Sequence, residues 1–291
     1  MTRSVTIAVA AVFITACSEH SAPAAESICE MSPQAALAAV VEAHGGAEAW
    51  QQLKSIYMER EHLFAGSEQP IRFSIHGEYP SHRIFQAWQA PPGTLAWDGE
   101  HAWSSDWPLA DRLMPRYVAA IGFYLVNMPW FVQEAAVPLE SRGCSGTLPG
   151  HGDRRFLVVV AHYEPDPTRK PVWYEGPRDR YELYIDPGTH LLQGVMQHWT
   201  YAGRLDAAGA PPSEEAISQL FVPESFVEVA GLMWPHEYSA YTPEGEVAAH
   251  GRFFDYDFSR PFDVDKLFPA DAASVRPDTS SSYFRQPSTT Q

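Results

Sequence analysis

The chain has 291 residues, with 36 acidic and 20 basic side chains, a net charge of -16 at pH 7, 45% apolar residues and nine tryptophans. That is ample material for a hydrophobic core, and the aromatic content argues against intrinsic disorder. The acidic balance argues against a nucleic-acid partner, since no basic stripe is available to displace counterions, and against charge-driven docking on anionic lipid.

The elements begin with an address. Arg3 supplies one positive charge, and Val5 to Ala16 follow without any. This run is too short to cross a bilayer as a helix, which takes about 20 apolar residues. A basic start and a short apolar run predict a secretory signal peptide over residues 1–16. It ends Ile14-Thr15-Ala16-Cys17, which resembles the bacterial lipobox. That resemblance implies lipidation of Cys17 (palmitate among the acyl chains) and a lipid-anchored protein in the cell envelope, facing the periplasm. Ser18 rather than Asp after the cysteine points to the outer membrane, by similarity to such lipoproteins. Residues 17–28 then read as the lipidated cysteine and a small, polar, flexible spacer.

A single domain is expected over residues 29–270. Ser32-Pro33 starts a helix as N-cap and first helical residue. Leu37, Val40, Val41 and His44 follow on one face, and Gly45-Gly46 stops it. A second short helical turn covers Ala47 to Leu53. Strands are predicted at 56–64, 71–78, 83–89, 94–98 and 101–104, the last two joined by the Asp98-Gly99 hairpin signal. Trp97 and Trp103 are expected to be cross-strand partners there. Residues 115–135 are apolar on nearly all sides and predict an enclosed helix, interrupted near Pro129. Further strands are predicted at 155–163, 180–185, 190–201, 224–229, 233–241 and 247–258. Residues 202–215 form a Gly/Ala/Pro-rich loop at a hairpin tip, and residues 271–291 a polar, frayed tail. So many strands joined by turns imply a large antiparallel sheet.

No nucleophile elbow, phosphate loop, dinucleotide fingerprint or CxxC pair occurs, and no cofactor is implied. His76, Glu78 and His82, and likewise His162 and Glu164, have spacings that zinc accepts. Alternation on a half-exposed strand explains them more simply, so no metal site is assigned. His44, on an apolar stripe, is expected to be a hydrogen-bonded core histidine. The tryptophan-rich 88–107 stretch can be read as a sugar platform with Asp98, Glu100 and Asp106 as carboxylates, but turn and packing roles account for the same residues. The most informative segment is Met114 to Phe131. It is core if packing is complete, and lines a hydrophobic cavity through Tyr117, Phe123, Tyr124, Val126, Trp130 and Phe131 if it is not.

Four segments together are similar to the LolA/LolB-like family of bacterial envelope lipoprotein carriers and their relatives. They are residues 40–46 leading through Trp50 to Ile56, residues 97–103, residues 184–192, and residues 229–235 followed by Leu267-Phe268. The resemblance implies an α+β, mainly β fold: an incomplete antiparallel β-barrel with helices plugging its open face. It also implies an apolar interior for acyl chains. The expected function is therefore non-catalytic binding of a hydrophobic small molecule or lipid by an anchored envelope protein. The alternatives are an envelope enzyme, a metal- or sugar-binding protein on the same scaffold, and a structural or assembly lipoprotein with a packed core.

With Cys17 acylated, Cys29 and Cys144 remain, an even count in an oxidising compartment. Neither lies on an apolar stripe, so a Cys29–Cys144 disulfide is expected. The competing possibility is two free thiols too far apart to bridge.

Overall fold

A computed structural model describes residues 27–79, 81–90, 92–98, 102–106, 115–163, 179–199, 217–267 and 275–277. Cys17, the signal peptide, most of the spacer, Glu164 and the 202–215 loop lie outside them, as do Glu100 and Trp107.

A 3₁₀ turn at Ile28–Glu30 leads into α1 (Pro33–Ala43). Ser32 caps α1, its Oγ accepting from Ala35 N–H at 3.2 Å, and Pro33 sits where no helical N–H is required. Ala36, Leu37, Val40 and Val41 form its buried face. The helix ends because Gly45 and Gly46 take φ of 104° and 87°. Gly45 also allows close approach: a Cβ there would lie 2.2 Å from the Gly231 carbonyl. The short α2 (Ala47–Gln51) follows.

Strands β1 (Ser55–Phe64), β2 (Ile71–Glu78), β3 (Ile84–Ala90), β4 (Pro92–Trp97) and β5 (Ala102–Ser105) form an antiparallel meander. Helices α3 (Pro115–Val126) and α4 (Met128–Ala135) come next. The second half comprises β6 (Leu139–Ser141), β7 (Leu157–Tyr163), β8 (Asp179–Ile185), β9 (Leu192–Trp199), β10 (Ile217–Pro223), β11 (Phe226–Val229), β12 (Leu232–Pro235), β13 (Glu237–Tyr241) and β14 (Val247–Asp257). A short β15 spans Val275–Pro277.

All strands but the β11–β12 hairpin belong to one sheet of 13, in the order β15-β5-β4-β3-β2-β1-β14-β13-β10-β9-β8-β7-β6. The first and last do not pair, so the sheet does not close into a barrel. The β1–β14 ladder joins the halves: Arg60 lies opposite Phe253 and His62 opposite Gly251. The expected hairpin tip at 202–215 is flanked by paired strands, with Trp199 opposite Ile217.

Alternation sends one set of side chains to an inner face, where the large core joins the sheet to α1, α3 and α4. Smaller apolar clusters lie on the outer face, around Phe156, Leu220 and Val222 and around Ala96, Trp103 and Leu267. The Cys29 and Cys144 sulfurs are bonded, with Cα atoms 5.4 Å apart, tying the start of α1 to the β6–β7 connection.

Two expectations need correction. Trp97 and Trp103 are not cross-strand partners: Trp97 pairs with Ala102 and Trp103 with Ala96, which places the indoles on opposite faces. Residues 275–277 are not frayed but add an edge strand to β5. The 115–135 segment is interrupted near Pro129 as expected: the break falls at Asn127, and the proline fits the first turn of the new helix.

Candidate ligand-binding site

The inner face carries two kinds of surroundings. Around α4 it is aromatic and sealed. Phe123, Tyr124, Trp130 and Phe131 are each no more than 1% exposed and Val126 is 2% exposed. Phe131 lies against Phe123 and Tyr124 with centroids 5.6 and 5.9 Å apart. Trp130 stacks on Trp50 at 6.2 Å and packs against Trp234 at 5.1 Å. Of the six side chains expected to line a cavity, these five converge on the interior. Tyr117 belongs to α3, but its side chain is outside the described residues. All five are buried, and the void that Val126 bounds with His44, Met128, Val195, Phe221 and Pro235 measures about 10 Å³. That is room for a single water.

Polar pins hold this aromatic region. Asn127, between α3 and α4, is fully buried. Its Oδ1 accepts from the Tyr79 hydroxyl and from Trp50 Nε1 at 3.5 Å, and its Nδ2 donates to the Phe123 carbonyl at 2.7 Å. Burial holds the Tyr79 phenol well above its ordinary range, so it remains a donor. His44 is the expected core histidine. Its Nε2 accepts from the Leu192 N–H at 3.1 Å, which leaves Nδ1–H to donate to the Met233 carbonyl at 3.0 Å. Burial pushes its pKa down from 6.5 to about 4. The imidazole therefore joins α1 to β9 and β12 as a neutral bridge.

Further along the inner face, toward Phe64, the surroundings are polar. Arg60 and His62 share the parity of Ile56 and Met58 on β1 and are 6% and 8% exposed. Arg60 Nε donates to the Tyr238 hydroxyl at 2.9 Å, and that hydroxyl lies 2.6 Å from His62 Nδ1. The guanidinium sits over Phe73, Tyr238 and Phe253 at 5.6, 5.3 and 5.1 Å from the ring centroids. Gln86 reaches across to α3, donating from Nε2 to the Val118 carbonyl at 3.1 Å, while its Oε1 accepts from Trp88 Nε1 at 3.2 Å. Gly77 gives α3 its close seat, since a Cβ there would lie 2.2 Å from the Phe123 ring.

Composition and motif reading passed over Arg60, His62, Gln86, Asn127 and Tyr238. A signal existed for two of them: a cation and an imidazole occupy the apolar parity of the first strand, where a solvated face cannot account for them. The histidines with metal-like spacing do not converge. His76 faces Phe262 on the outer side, whereas His82 packs on Phe131 at 4.8 Å. His162 pairs with Glu140 at 3.3 Å. Among the described residues, no group of three or more His, Cys, Asp or Glu could hold a metal ion.

No protein-family model matches the chain, and no curated protein matches it. Among solved structures, several are similar to it over most of its length. A LolA superfamily protein from Nitrosomonas europaea is 10% identical, covering 82% of this chain and 98% of its own, with a TM-score of 0.48. A putative outer membrane lipoprotein-sorting protein domain from Vibrio parahaemolyticus is 9% identical over 81% and 97%, with a TM-score of 0.43. A DUF1329 family protein from Desulfovibrio piger is 8% identical over 82% and 98%, with a TM-score of 0.48. Similarity of this degree says nothing of ligand or partner.

Proposed function

We propose that this is an envelope protein that binds a hydrophobic molecule, an acyl chain or lipid, beneath the α3–α4 cover, without catalysis. One observation carries the reading: a nearly all-apolar helical segment closes the inner face of a sheet that does not close on itself. A barrel sealed by its own strands would need no such cover. Phe123, Tyr124, Val126, Trp130 and Phe131 are proposed as ligand contacts once the cover lifts, joined by Tyr117. Cys17 is proposed as the lipid anchor, and the N-terminal address supports an envelope location facing the periplasm, at the outer membrane. No helix among the described residues is long and apolar enough to cross a membrane.

The test is titration of the purified protein with palmitate or phospholipid, read by tryptophan fluorescence and melting temperature. Both are expected to change, and Phe123→Asp, checked for folding, is expected to weaken the response. The void of about 10 Å³ favours a second reading, a structural lipoprotein with a packed core. Saturating lipid that moves neither signal decides for it. For the anchor, Cys17→Ser is expected to abolish incorporation of labelled palmitate, and unchanged labelling would remove that assignment.

A further inference from the structure

We infer that Arg60 and Gln86 form a receptor for an anionic oxyacid headgroup, so that the molecule bound under α3 is an acidic amphiphile. This rests on the binding function proposed above and specifies its ligand.

A buried ion normally has an opposite charge beside it, because the desolvation cost of an unpaired one is several kcal/mol. Among the described residues, Arg60 has no carboxylate partner. Its Nε is used by Tyr238, and its Nη2 lies 3.5 Å from His62 Nδ1. Its Nη1 makes no hydrogen bond among the described residues. The neighbouring acids Glu59 and Glu61 are on the opposite parity of β1. Glu61 faces outward to Arg72 at 2.6 Å and Arg252 at 3.4 Å. Three aromatic faces and a hydroxyl offset part of the cost. They do not neutralise the charge. A leucine or methionine would fill the same position without it.

The placement of the free donors gives the charge a use. α3 passes over Arg60 at Gly122. A Cβ built there would meet Arg60 Nη1 at 3.4 Å, Gln86 Nε2 at 3.8 Å and Ile75 Cδ1 at 2.8 Å. The guanidinium and the amide thus converge on one spot beneath the helix. In the closed state Gln86 satisfies itself on the Val118 carbonyl of α3. When α3 lifts, that amide is released beside an unpaired guanidinium. A carboxylate or phosphate oxygen placed there accepts charge-assisted bonds from both. The acyl chain then runs between the lifted α3, which carries Phe123, and Phe131 of α4. A neutral amphiphile would gain the apolar contacts and leave the cation unpaired.

The experiment compares matched ligands on the purified protein: palmitate against cetyl alcohol, and dipalmitoyl phosphatidate against dipalmitoylglycerol. At least one acid is expected to bind tenfold or more tightly than its neutral counterpart. Preference in the first pair identifies a carboxylate and in the second a phosphate, and either supports the inference. In Arg60→Met the ratio is expected to fall to about one. Arg60→Lys, which keeps the charge, is expected to retain part of it. Equal binding of acid and neutral ligand by the unmodified protein would overturn this inference and leave the binding function standing. A preference that survives in folded Arg60→Met would also overturn it. Binding of none of the four would overturn both.

Discussion

His44 and Arg60 are sealed to about the same degree, at 3% and 6% exposure, yet they are held in opposite ways. His44 uses both ring nitrogens on backbone groups and is kept neutral, so its surroundings ask nothing further of it. Arg60 is charged, lacks a counter-ion among the described residues, and leaves a donor without a bond. A side chain whose polar atoms are both matched, as those of His44 are, acts as structure. A region that keeps an unmatched charge under a removable helix is incomplete until something is bound. The contrast separates the α1–α4 end of the inner face from the α3 end, and it can be broken by experiment.

The largest effect is expected at the structural end. Cys29 and Cys144 are 115 residues apart and fasten the start of α1 to the β6–β7 connection. Replacing both by serine releases a long loop in the unfolded chain, which the entropy model puts at up to about 5 kcal/mol. Urea unfolding is expected to show a loss of roughly 2–5 kcal/mol. A loss near zero would mean that the α1 end is not held as this comparison requires.

His44→Leu comes next. It leaves the Leu192 N–H and the Met233 carbonyl buried and unpaired, at about 1–3 kcal/mol each. The expected destabilisation is therefore about 2–4 kcal/mol. If the variant is as stable as the parent, the His44 bridge is not structural and the contrast with Arg60 fails on this side.

The same residue predicts an acid response of comparable size. His44 titrates at about 4 in the folded protein and at 6.5 when unfolded. Between those values the unfolded chain binds more protons, so stability falls as pH drops from about 6.5 toward 4. A shift of this size is worth about 3 kcal/mol when fully developed. Burial lowers His82 to about 4 as well, so it adds a response of the same sign. Melting temperature is expected to fall from pH 7 to pH 4.5, and to fall less in His44→Leu than in the parent. An equal fall in both would exclude His44 as a source.

How legible this molecule was follows from where the signals are local. The N-cap Ser32-Pro33, the Gly45-Gly46 stop and the all-round apolar 115–135 stretch act within a few residues, so the sequence alone placed α1 and the cover. The strand β2 was predicted at its observed limits because Phe73, Ile75 and Gly77 alternate cleanly with polar residues. β6 was missed because three residues carry no period, and β10 because its start is masked by the polar loop before it. Register was not legible. Whether Trp103 faces Trp97 depends on which residue stands opposite, and that is fixed by the turn rather than by composition. The aromatic half of the candidate site was visible as hydrophobicity. The polar half was not, because Arg60, Gln86 and Tyr238 lie on three different strands, β1, β3 and β13, and meet only because β2 and β14 pair between them. How tightly these aromatics pack was out of reach for the same reason: it depends on how Phe123, Trp130 and Phe131 fit one another, which no spacing encodes.

The smallest expected effect is also the most discriminating. If Arg60 were a structural element like His44, removing it would be costly. If its charge is uncompensated, Arg60→Met removes a buried cation and replaces it with an apolar chain that fits among Phe73, Tyr238 and Phe253. The Tyr238 hydroxyl does not lose its purpose, since it still donates to His62 Nδ1 at 2.6 Å. Burial, the larger of the two causes that hold the His62 pKa well below its ordinary value, persists without Arg60, so the imidazole stays a neutral acceptor. Loss of three cation–π contacts and one hydrogen bond works against the variant, and relief of desolvation works for it. The two nearly cancel, and the expected change in unfolding free energy is within about 1 kcal/mol of zero, by urea unfolding at pH 7. A loss of 3 kcal/mol or more would place Arg60 with His44 among the structural pins, and the two ends of the inner face would no longer differ in kind.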